Sequence, residues 1–287
     1  IEKRGQIMMY LITEKTILTQ HVTLMKIYAP EVCRHAQAGQ FVMLRVDASG
    51  ERIPLTIADI GEDQTITIIF QVVGKTTYLL NQKQKGEYLR DFAGPLGKKT
   101  AIEHLNKVLV IGGGVGCAIS YPIVKALHQK GAHVDTIIGF RNQEFVFFKE
   151  EFKSLSHDFY LMTDDGSAGE KGLVTEKMKT LLDQGRTYDE VIAIGPLPMM
   201  KYVALATKPY GIKTIVSMNP IMIDGTGMCG GCRVKVGDHM KFACVDGPEF
   251  DGHAVDFDDA MKRQTMYHTF EKDAYEHICN LSKELAK

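Results

Sequence analysis

The sequence predicts a β + α/β fold: an antiparallel β-barrel, then a doubly wound parallel sheet, then a small cysteine-containing module. Up to about residue 97, short runs of β-branched residues alternate with Gly, Asp, Ser and Pro, as in antiparallel sheets. From about residue 105, apolar strands alternate with helical segments, as in a parallel sheet with helices on both faces. From residue 219, glycine becomes frequent and three cysteines fall within sixteen residues.

The barrel is expected to occupy residues 8–100. Its predicted strands lie at residues 10–13, 22–27, 41–46 and 65–73. We expect turns at Gly39-Gln40 and at Gly94-Pro95-Leu96-Gly97, and we expect the segment 52–56 to stand between two strands.

The α/β domain is expected to occupy residues 101–218. A short strand at 107–111 enters a glycine turn at 112–116, and apolar residues at helical spacing predict a helix over 118–129. Strands and helices then continue to alternate, with strands at 133–140, 159–162, 190–194 and 213–216 and helices at 172–184 and 198–208.

Residues 219–256 are expected to form a separate module, and residues 257–287 a helical tail. About forty residues cannot bury enough apolar surface alone, which predicts that metal stabilises the module. The tail fits either a helix packed on its own protein or a helix that docks a partner. It places large apolar residues among charged ones, at Met261, Met266, Phe270, Tyr275, Ile278 and Leu281.

Composition limits the classes of partner. The 287 residues suggest two or three domains, and the formal net charge of -1 leaves no basic excess for nucleic acid or an anionic membrane. No apolar stretch approaches the roughly 18 residues of a membrane span, and a secretory signal is not recognisable. We therefore expect a cytoplasmic protein with no nucleic acid or membrane partner. Residues 1–7 suggest an upstream extension without function.

Asp224, Cys229, Cys232 and Cys244 form the most specific motif of the chain. Their spacing is that of a plant-type [2Fe-2S] centre, with aspartate in place of the first cysteine. Zinc is the alternative, because three thiolates and a carboxylate could make a tetrahedral site. Nearby glycines favour iron–sulfur, since the backbone must curl closely around the cluster; they are Gly225, Gly227, Gly230 and Gly231.

The remaining cysteines and the aspartate have simpler interpretations. Cys33, Cys117 and Cys279 are isolated, and we expect them to be buried small apolar residues. Asp224 precedes a glycine, where aspartates commonly begin turns, so its role as a ligand is less secure than that of the cysteines.

The glycine turn predicts a nucleotide site. A strand that ends in glycines and opens a helix presents backbone N–H groups and the positive helix end to a pyrophosphate. Arg141 follows the next strand, where it fits a 2′-phosphate or a surface ion pair. Two further turns, at 163–167 and at Gly195-Pro196, follow later strands. Carboxyl ends of parallel strands are where ligands of such sheets bind.

A one-electron cluster needs a neighbour that can supply electrons singly, which predicts a flavin. In the barrel, Arg52 could clamp a diphosphate and the Thr56 hydroxyl could reach a flavin ring nitrogen. Gly74, followed by Thr76 and Thr77, could wrap phosphate with N–H and O–H donors.

These pieces, in this order, resemble the ferredoxin-NADP reductase superfamily. The chain is most similar to two of its families: the electron-transfer subunit of dihydroorotate dehydrogenase, and the small subunit of NADH-dependent ferredoxin:NADP oxidoreductase, also called sulfide dehydrogenase. The motifs that carry the resemblance are Arg52-x-Pro54-Leu55-Thr56, Val73-Gly74-x-Thr76-Thr77, Gly94-Pro95-Leu96-Gly97, Gly112-Gly113-Gly114-x-Gly116, Cys229-x2-Cys232 and Cys244-x-Asp246-Gly247-Pro248.

The resemblance implies FAD in the barrel, NAD(H) across the α/β domain, with NADP(H) left open, and a [2Fe-2S] cluster held by Asp224, Cys229, Cys232 and Cys244. The implied FAD residues are Arg52, Ile53, Pro54, Leu55, Thr56, Phe70, Gln71, Gly74, Thr76 and Thr77. The implied nucleotide residues are Gly112, Gly113, Gly114, Gly116, Arg141, Asp165, Gly166, Gly195 and Pro196. No catalytic acid or base is expected, because the cofactors carry the chemistry.

The sequence thus predicts an NAD(P)H-dependent oxidoreductase subunit that passes electrons through FAD and the cluster. Its implied partner is a larger flavin and iron–sulfur subunit, with ferredoxin reached indirectly. Asp224 favours the NADH-dependent ferredoxin:NADP oxidoreductase family, since the dihydroorotate subunit has a cysteine there. The dihydroorotate dehydrogenase subunit is the alternative. The second alternative is a nucleotide-binding module that zinc stabilises and that has no redox activity.

Overall fold

The computed structural model describes residues 9–285, and side chains as far as residue 277. Residues 1–7, which the sequence suggested to be an extension, lie outside the described residues, as do Met8 and the side chains of Ile278, Cys279 and Leu281.

The N-terminal region is a nearly closed antiparallel barrel of seven strands, in the order β6-β1-β2-β5-β4-β3-β7. Helix α1 (Pro30–Cys33) and helix α2 (Lys75–Gln82) lie in its connections. The strands are β1 (Tyr10–Thr19), β2 (Val22–Tyr28), β3 (Phe41–Arg45), β4 (Arg52–Ile60), β5 (Thr65–Gln71), β6 (Tyr88–Leu89) and β7 (Asp91–Leu96).

Two barrel predictions were wrong. The segment 52–56 is the first half of β4 and not a connection, and the expected turn at 94–97 continues β7 as far as Leu96. Pro54 interrupts the sequence pattern of a strand. It pairs with Met43 of β3, while the pairing of β4 with β5 starts only at Ile57. Proline is tolerated there because β4 has a neighbour on one side only.

The second sheet has the order β11-β10-β9-β8-β12-β13-β16, and its strands from β11 to β13 are parallel. Four helices connect them, α3 (Gly116–Gln129), α4 (Lys149–Leu155), α5 (Val174–Asp183) and α6 (Leu197–Thr207). The strands are β8 (Lys107–Gly113), β9 (His133–Phe140), β10 (Asp158–Thr163), β11 (Glu170–Lys171), β12 (Glu190–Ile194), β13 (Lys213–Ser217) and β16 (Glu249–Asp251). The doubly wound prediction is confirmed.

The cysteine-containing segment is built into this sheet. The chain leaves β13, forms a loop and the hairpin of β14 (Arg233–Val236) and β15 (His239–Phe242), and returns as β16. Strand β16 pairs antiparallel with β13 at the sheet edge. Helices α7 (Phe257–Gln264) and α8 (His268–Leu285) follow. No helix within residues 9–285 is long and apolar enough to span a membrane.

The three regions share their cores. Barrel residues Val22 and Ile69 pack in one cluster with Ile123 and Leu127 of α3. Barrel residues Phe41 and Met43 belong to another cluster, which also contains the buried cysteines Cys232 and Cys244. Lys125 of α3 donates to Asp59 of β4 at 2.7 Å. The barrel, the parallel sheet and the cysteine-containing segment therefore pack against one another.

Candidate functional site

A cavity of about 860 Å³ lies where these three regions meet. Its volume is near the upper end of the roughly 300–1,000 Å³ usual for ligand pockets. The barrel contributes the middle of β4 and the end of β5, and the parallel sheet contributes the turns after β8, β9, β10 and β12. The segment 217–220, which leads into the cysteine-containing region, closes one side.

On the sheet side, the cavity lies at the topological switch point. Strands β8 and β12 are neighbours, and β9 continues the sheet on one side while β13 continues it on the other. Gly113 ends β8 and Gly114 follows it, Gly195 and Pro196 follow β12, and all four line the cavity. This is the position at which open α/β sheets bind ligands.

Gly114 and Gly195 show why the turns after β8 and β12 carry glycine. Gly114 has a φ of +56° and no atom within 4 Å of the place a Cβ would occupy, so its backbone faces open space. At Gly195 a Cβ would lie 2.8 Å from Cε of Met199. The turn therefore offers bare backbone beside the start of α3, which suits a pyrophosphate.

On the barrel side, Pro54, Leu55 and Thr56 of β4 line the cavity with Phe70 and Gln71 of β5. These five were among the predicted FAD residues. They present a largely apolar wall with one hydroxyl and one amide, which fits a ring that needs few polar contacts.

Of the barrel residues predicted to bind the FAD phosphates, only Thr77 lines the cavity. Its Oγ1 accepts hydrogen bonds from the N–H groups of Val73 and Gly74, at 3.0 Å each. Arg52, Ile53, Gly74 and Thr76 are not on the cavity wall. The guanidinium of Arg52 lies 3.6 Å from Oδ2 of Asp91. The start of α2 is thus the part of this motif that faces the cavity.

Arg141 and Asp164 both line the nucleotide side of the cavity, whereas the predicted Asp165 and Gly166 do not. Asp165 accepts hydrogen bonds from the N–H and the hydroxyl of Ser167, at 2.9 and 2.6 Å. These bonds lower the pKa of Asp165. Because Ser167 Oγ in turn accepts from the N–H of Gln143 at 2.8 Å, the turn after β10 is tied to the loop that carries Arg141.

Several lining residues were not predicted from the sequence. They include Phe145 and Phe147, the start of α5 at 172–175, and the segment 217–220. The helix itself was predicted, over 172–184, and Gly172, two residues before α5 with a φ of +130°, was the signal that could have placed its start at the cavity. The phenylalanines carry no such signal, since aromatic residues after a strand are typical of cores.

The four predicted cluster residues form two pairs. Sγ of Cys232 lies 3.2 Å from Sγ of Cys244, and the N–H of Cys229 donates to Oδ2 of Asp224 at 3.2 Å. Asp224 also accepts from the N–H and the hydroxyl of Thr226, and the hydroxyl bond is the main reason that its pKa is lowered. Burial and the neighbouring Cys232 raise the pKa of Cys244 to about 12. Its thiol would lose a proton on binding metal.

This pairing fits a binuclear cluster better than zinc. In a tetrahedral zinc site, all the ligand atoms would lie within roughly 4 Å of one another. No three of the ligand atoms of these four described residues lie within 4.8 Å of one another. The N–H of Gly231 points to Sγ of Cys229 at 3.4 Å, a donor of the kind that stabilises cluster sulfurs.

The cavity and the cluster loop adjoin. Met222 lines the cavity and packs in the same core as Cys232 and Cys244. A Cβ on Gly225 would lie 2.6 Å from Cγ of Met43, so the loop rests directly on β3 of the barrel. The cavity and the cluster residues therefore share one core.

The isolated cysteines differ in their surroundings. Cys117 is fully buried at the start of α3, as predicted, and burial raises its pKa. Cys33 is only partly buried, packed against the barrel core.

Comparison with known proteins identifies the family. The iron–sulfur cluster binding domain of dihydroorotate dehydrogenase B matches residues 219–256, and the oxidoreductase NAD-binding domain matches residues 110–204. A dihydroorotate dehydrogenase B electron transfer subunit homolog of Thermotoga maritima is 45% identical over 95% of this chain and 96% of its own. The electron transfer subunit of Bacillus pumilus is 33% identical, over 83% and 93%.

A solved chain of NADH-dependent reduced ferredoxin-NADP oxidoreductase superposes with a TM-score of 0.89, at 43% identity, over 96% of this chain and all of that one. The fold class, the redox activity and the three cofactors predicted from the sequence are confirmed. The chain therefore belongs to the dihydroorotate dehydrogenase B electron transfer subunit family of the ferredoxin-NADP reductase superfamily, and it is an oxidoreductase electron-transfer module for FAD, NAD(H) and an iron–sulfur cluster.

Proposed function

We propose that this chain is the subunit that exchanges a hydride with NAD(H) in an electron-bifurcating complex of the NADH-dependent ferredoxin:NADP oxidoreductase type. One observation carries the proposal: the glycine turn and the barrel wall line a single cavity, and Met222 of its lining packs in the same core as Cys232 and Cys244. FAD held there would supply the link between two-electron hydride exchange with NAD(H) and one-electron exchange with the [2Fe-2S] cluster.

The side chains then bind and orient, and none needs to act as acid or base. Pro54, Leu55 and Thr56 would support the flavin ring together with Phe70 and Gln71. The start of α2, at Thr76 and Thr77 after Gly74, would receive the flavin phosphates, because its free N–H groups and positive end favour anions. Arg52, now near Asp91, follows Glu51, which accepts from the Thr76 hydroxyl of this helix at 3.4 Å, and Arg52 would complete the phosphate contacts.

On the sheet side, the nucleotide pyrophosphate would lie on the glycine turn and the start of α3, close to Gly195 and Pro196. Asp164 on the cavity wall supports NAD(H) over NADP(H), since a carboxylate accepts a ribose hydroxyl but repels a 2′-phosphate. Arg141 remains available for the pyrophosphate. Asp165 and Gly166 would shape the turn that presents Asp164.

We infer that Asp224 and Cys229 share one iron of the cluster and that Cys232 and Cys244 share the other. The two pairs of contacts described above support this division. The lowered pKa of Asp224 keeps its carboxylate charged and ready to bind metal.

A larger flavin and iron–sulfur subunit is the proposed partner, and ferredoxin would react with that subunit. Three apolar side chains around the cluster loop are exposed and would suit an interface: Met228 is 89%, Ile223 59% and Val245 40% exposed. Met266 and Tyr267 line a small pocket next to Ile223. The free thiols support a reducing compartment such as the cytoplasm.

We keep the proposed boundaries at 8–100, 101–218, 219–256 and 257–287. Strand β7 ends at Leu96 before the first, β13 ends at Ser217 before the second, and Asp256 caps α7 at the third.

The dihydroorotate dehydrogenase subunit remains the second candidate, supported by the relatives that carry this name. Asp224 favours the first candidate. Identity does not separate the two, since it is 43% to the solved oxidoreductase chain and 45% to the Thermotoga maritima homolog.

Anaerobic purification and metal analysis test the proposal. We expect one FAD, two irons and two sulfides per chain, an electron paramagnetic resonance signal after reduction, and bleaching by NADH. Colourless protein that contains zinc would contradict it. Association with a dihydroorotate-oxidising subunit, and not with a larger flavin and iron–sulfur subunit, would favour the second candidate.

A further inference from the structure

Two histidines and an aspartate lie close together at the amino ends of β9 and β10, away from the cavity at the carboxyl ends. His133 begins β9, Asp135 follows on the same strand, and His157 stands directly before β10. The cavity lies at the other end of β9, near Gly139. The six residue-to-residue steps from His133 to Gly139 span about 20 Å of strand. This group therefore plays no part in the hydride site.

The three potential ligand atoms are close together. Nε2 of His133 lies 3.1 Å and Nδ1 of His157 4.0 Å from Oδ1 of Asp135, and all three atoms lie within 4.8 Å of one another. In a tetrahedral zinc site, ligand atoms lie about 3.3 Å apart. His133 and Asp135 already have this separation. The His157 ring is stacked on the His133 ring, with centroids 3.8 Å apart, and its side chain is 62% exposed, so solvent leaves it room to turn out of the stack when metal binds.

Asp135 is fully buried and is held in place by its other oxygen. Oδ2 accepts hydrogen bonds from the Tyr188 hydroxyl at 2.7 Å and from Arg186 at 2.9 Å. Oδ1 is left facing the two imidazoles. Such outer contacts, which fix the orientation of a ligand, are typical of metal sites.

The charges of the group suit a divalent cation. Asp135 and Asp158 are both in contact with Arg186, and Asp158 lies 3.8 Å from His157. With neutral imidazoles, two carboxylates and one guanidinium leave a net charge of -1. Lys107 is also nearby. Its Nζ lies over the Tyr188 ring, 5.5 Å from the ring centroid, and does not form an ion pair with Asp135.

We propose that His133, Asp135 and His157 bind a divalent first-row transition metal ion, with the exposed fourth position taken by water. Two imidazoles and one carboxylate are ligands that zinc and its neighbours accept, whereas magnesium and calcium prefer oxygen alone. The bound ion links the start of β9 to the loop before β10. It is separate from the cluster, which lies in the segment after β13.

Zinc chloride titrated into the flavin- and cluster-loaded protein tests the site, with a chromophoric chelator reporting free zinc. Loading the cluster first occupies Cys229, Cys232 and Cys244. We expect wild type to bind one more zinc ion than His157→Gln, or to bind it at least about tenfold more tightly. His35→Gln is the matched control, because His35 is exposed on the barrel and should leave zinc binding unchanged.

His133→Gln should lose the same zinc ion, and anomalous diffraction at the zinc edge should place it between the three side chains. Equal stoichiometry and affinity in wild type, His133→Gln and His157→Gln would overturn the proposal. Melting temperatures measured without zinc separate loss of a ligand from loss of the fold. Iron and flavin content, which report on the proposed function, should be the same in all variants.

Discussion

Asp224 differs from an ordinary turn aspartate in what surrounds it. Its Oδ1 accepts from Thr226, as in many turns before glycine, but its Oδ2 faces the backbone of Cys229, the next cluster residue. The sequence left its role less secure than that of the cysteines, since turn formation alone would explain an aspartate at this position. A variant that keeps the turn but changes the ligand atom can separate the two roles.

We predict that Asp224→Cys retains the cluster but changes its electronic state. Thiolate would replace carboxylate on one iron, which alters both the paramagnetic resonance g-values and the reduction potential. The measurement is a redox titration followed by resonance spectroscopy. Asp238→Cys, in the exposed turn between β14 and β15, is the control and should match wild type. An unchanged spectrum in Asp224→Cys would show that Asp224 is not a ligand.

Asp164 should set the choice between the two nicotinamide nucleotides. We expect Asp164→Asn to raise kcat/KM for NADPH about tenfold relative to NADH, because removal of one charge at the cavity wall relieves about 1.4 kcal/mol of repulsion. Steady-state reduction of ferricyanide measures both values. Asp165→Ala, which removes the oxygen that accepts both bonds from Ser167, should impair both nucleotides alike. A preference that Asp164→Asn leaves unaltered would place the discrimination elsewhere.

Glu249 predicts how stability depends on pH. Glu249 is only partly exposed at the start of β16. Burial raises the pKa of its carboxyl from 4.5 to about 7, even though the Thr100 hydroxyl donates a hydrogen bond to this carboxyl at 2.6 Å. Because the folded carboxyl binds its proton more tightly than the unfolded one, the stability it provides is complete below pH 4.5 and is lost as the pH rises to about 7. The loss is about 3 kcal/mol.

Glu249→Gln should remove this dependence. Its unfolding free energy relative to wild type should rise between pH 4.5 and 7 and then level off. Thermal or urea unfolding at several pH values measures the difference. Asp238→Asn, at an exposed site, should show no such trend. Parallel curves for wild type and Glu249→Gln would mean that Glu249 is ionised in the folded protein at neutral pH.

Among the elements, continuous apolar runs were predictable and interrupted ones were not. The bounds of β9 and β12 equal the predicted ranges, since each is a run of buried residues. Strand β4 was missed because Arg52 and Pro54 resemble a connection. Its strand conformation depends on pairing with β3, a contact that local sequence does not encode.

Helix α8 shows a similar limit. The sequence left open whether it packs on its own protein or docks a partner, and the structure contains features of both. Tyr275 packs edge-on against Tyr78 of α2, with ring centroids 6.0 Å apart, while Phe270 is 74% exposed. Helical periodicity identifies an apolar face but not what covers it.

The turn between β8 and α3 is predicted to bind NADH, and a substitution there tests this. We expect Gly114→Ala to weaken NADH binding at least about tenfold and to destabilise the fold by about 1–2 kcal/mol, because Gly114 has a φ of +56° and a methyl group would enter the cavity. Gly131→Ala, after α3, is the matched control. Its φ is +84° and its surroundings are also open, so it should lose similar stability but keep NADH affinity. Flavin-fluorescence titration and urea unfolding measure both. Equal NADH affinity in the two variants would remove the turn from the nucleotide site.

At the scale of the whole molecule, the order of the three regions followed from the sequence but their contacts did not. Each motif is local, whereas the cavity depends on Phe41 and Met43 of the barrel packing against a loop nearly two hundred residues later. The sequence also gave no sign that β16 returns to the sheet edge. Such pairings depend on tertiary packing, and so the cavity residues at 217–220 could not be predicted.

The last prediction concerns assembly. If electrons leave through the cluster, the face that carries Met228 must meet the larger subunit, because this side chain is 89% exposed beside Cys229. Met228→Lys should weaken association at least about tenfold, which is about 1.4 kcal/mol, while NADH still reduces the flavin of the isolated chain at the wild-type rate. Leu205→Lys, which is 54% exposed on α6, is the control and should assemble normally. Calorimetric titration with the larger subunit measures the affinity. Normal assembly of Met228→Lys would mean that the partner binds a different face and that the cluster is not the electron exit.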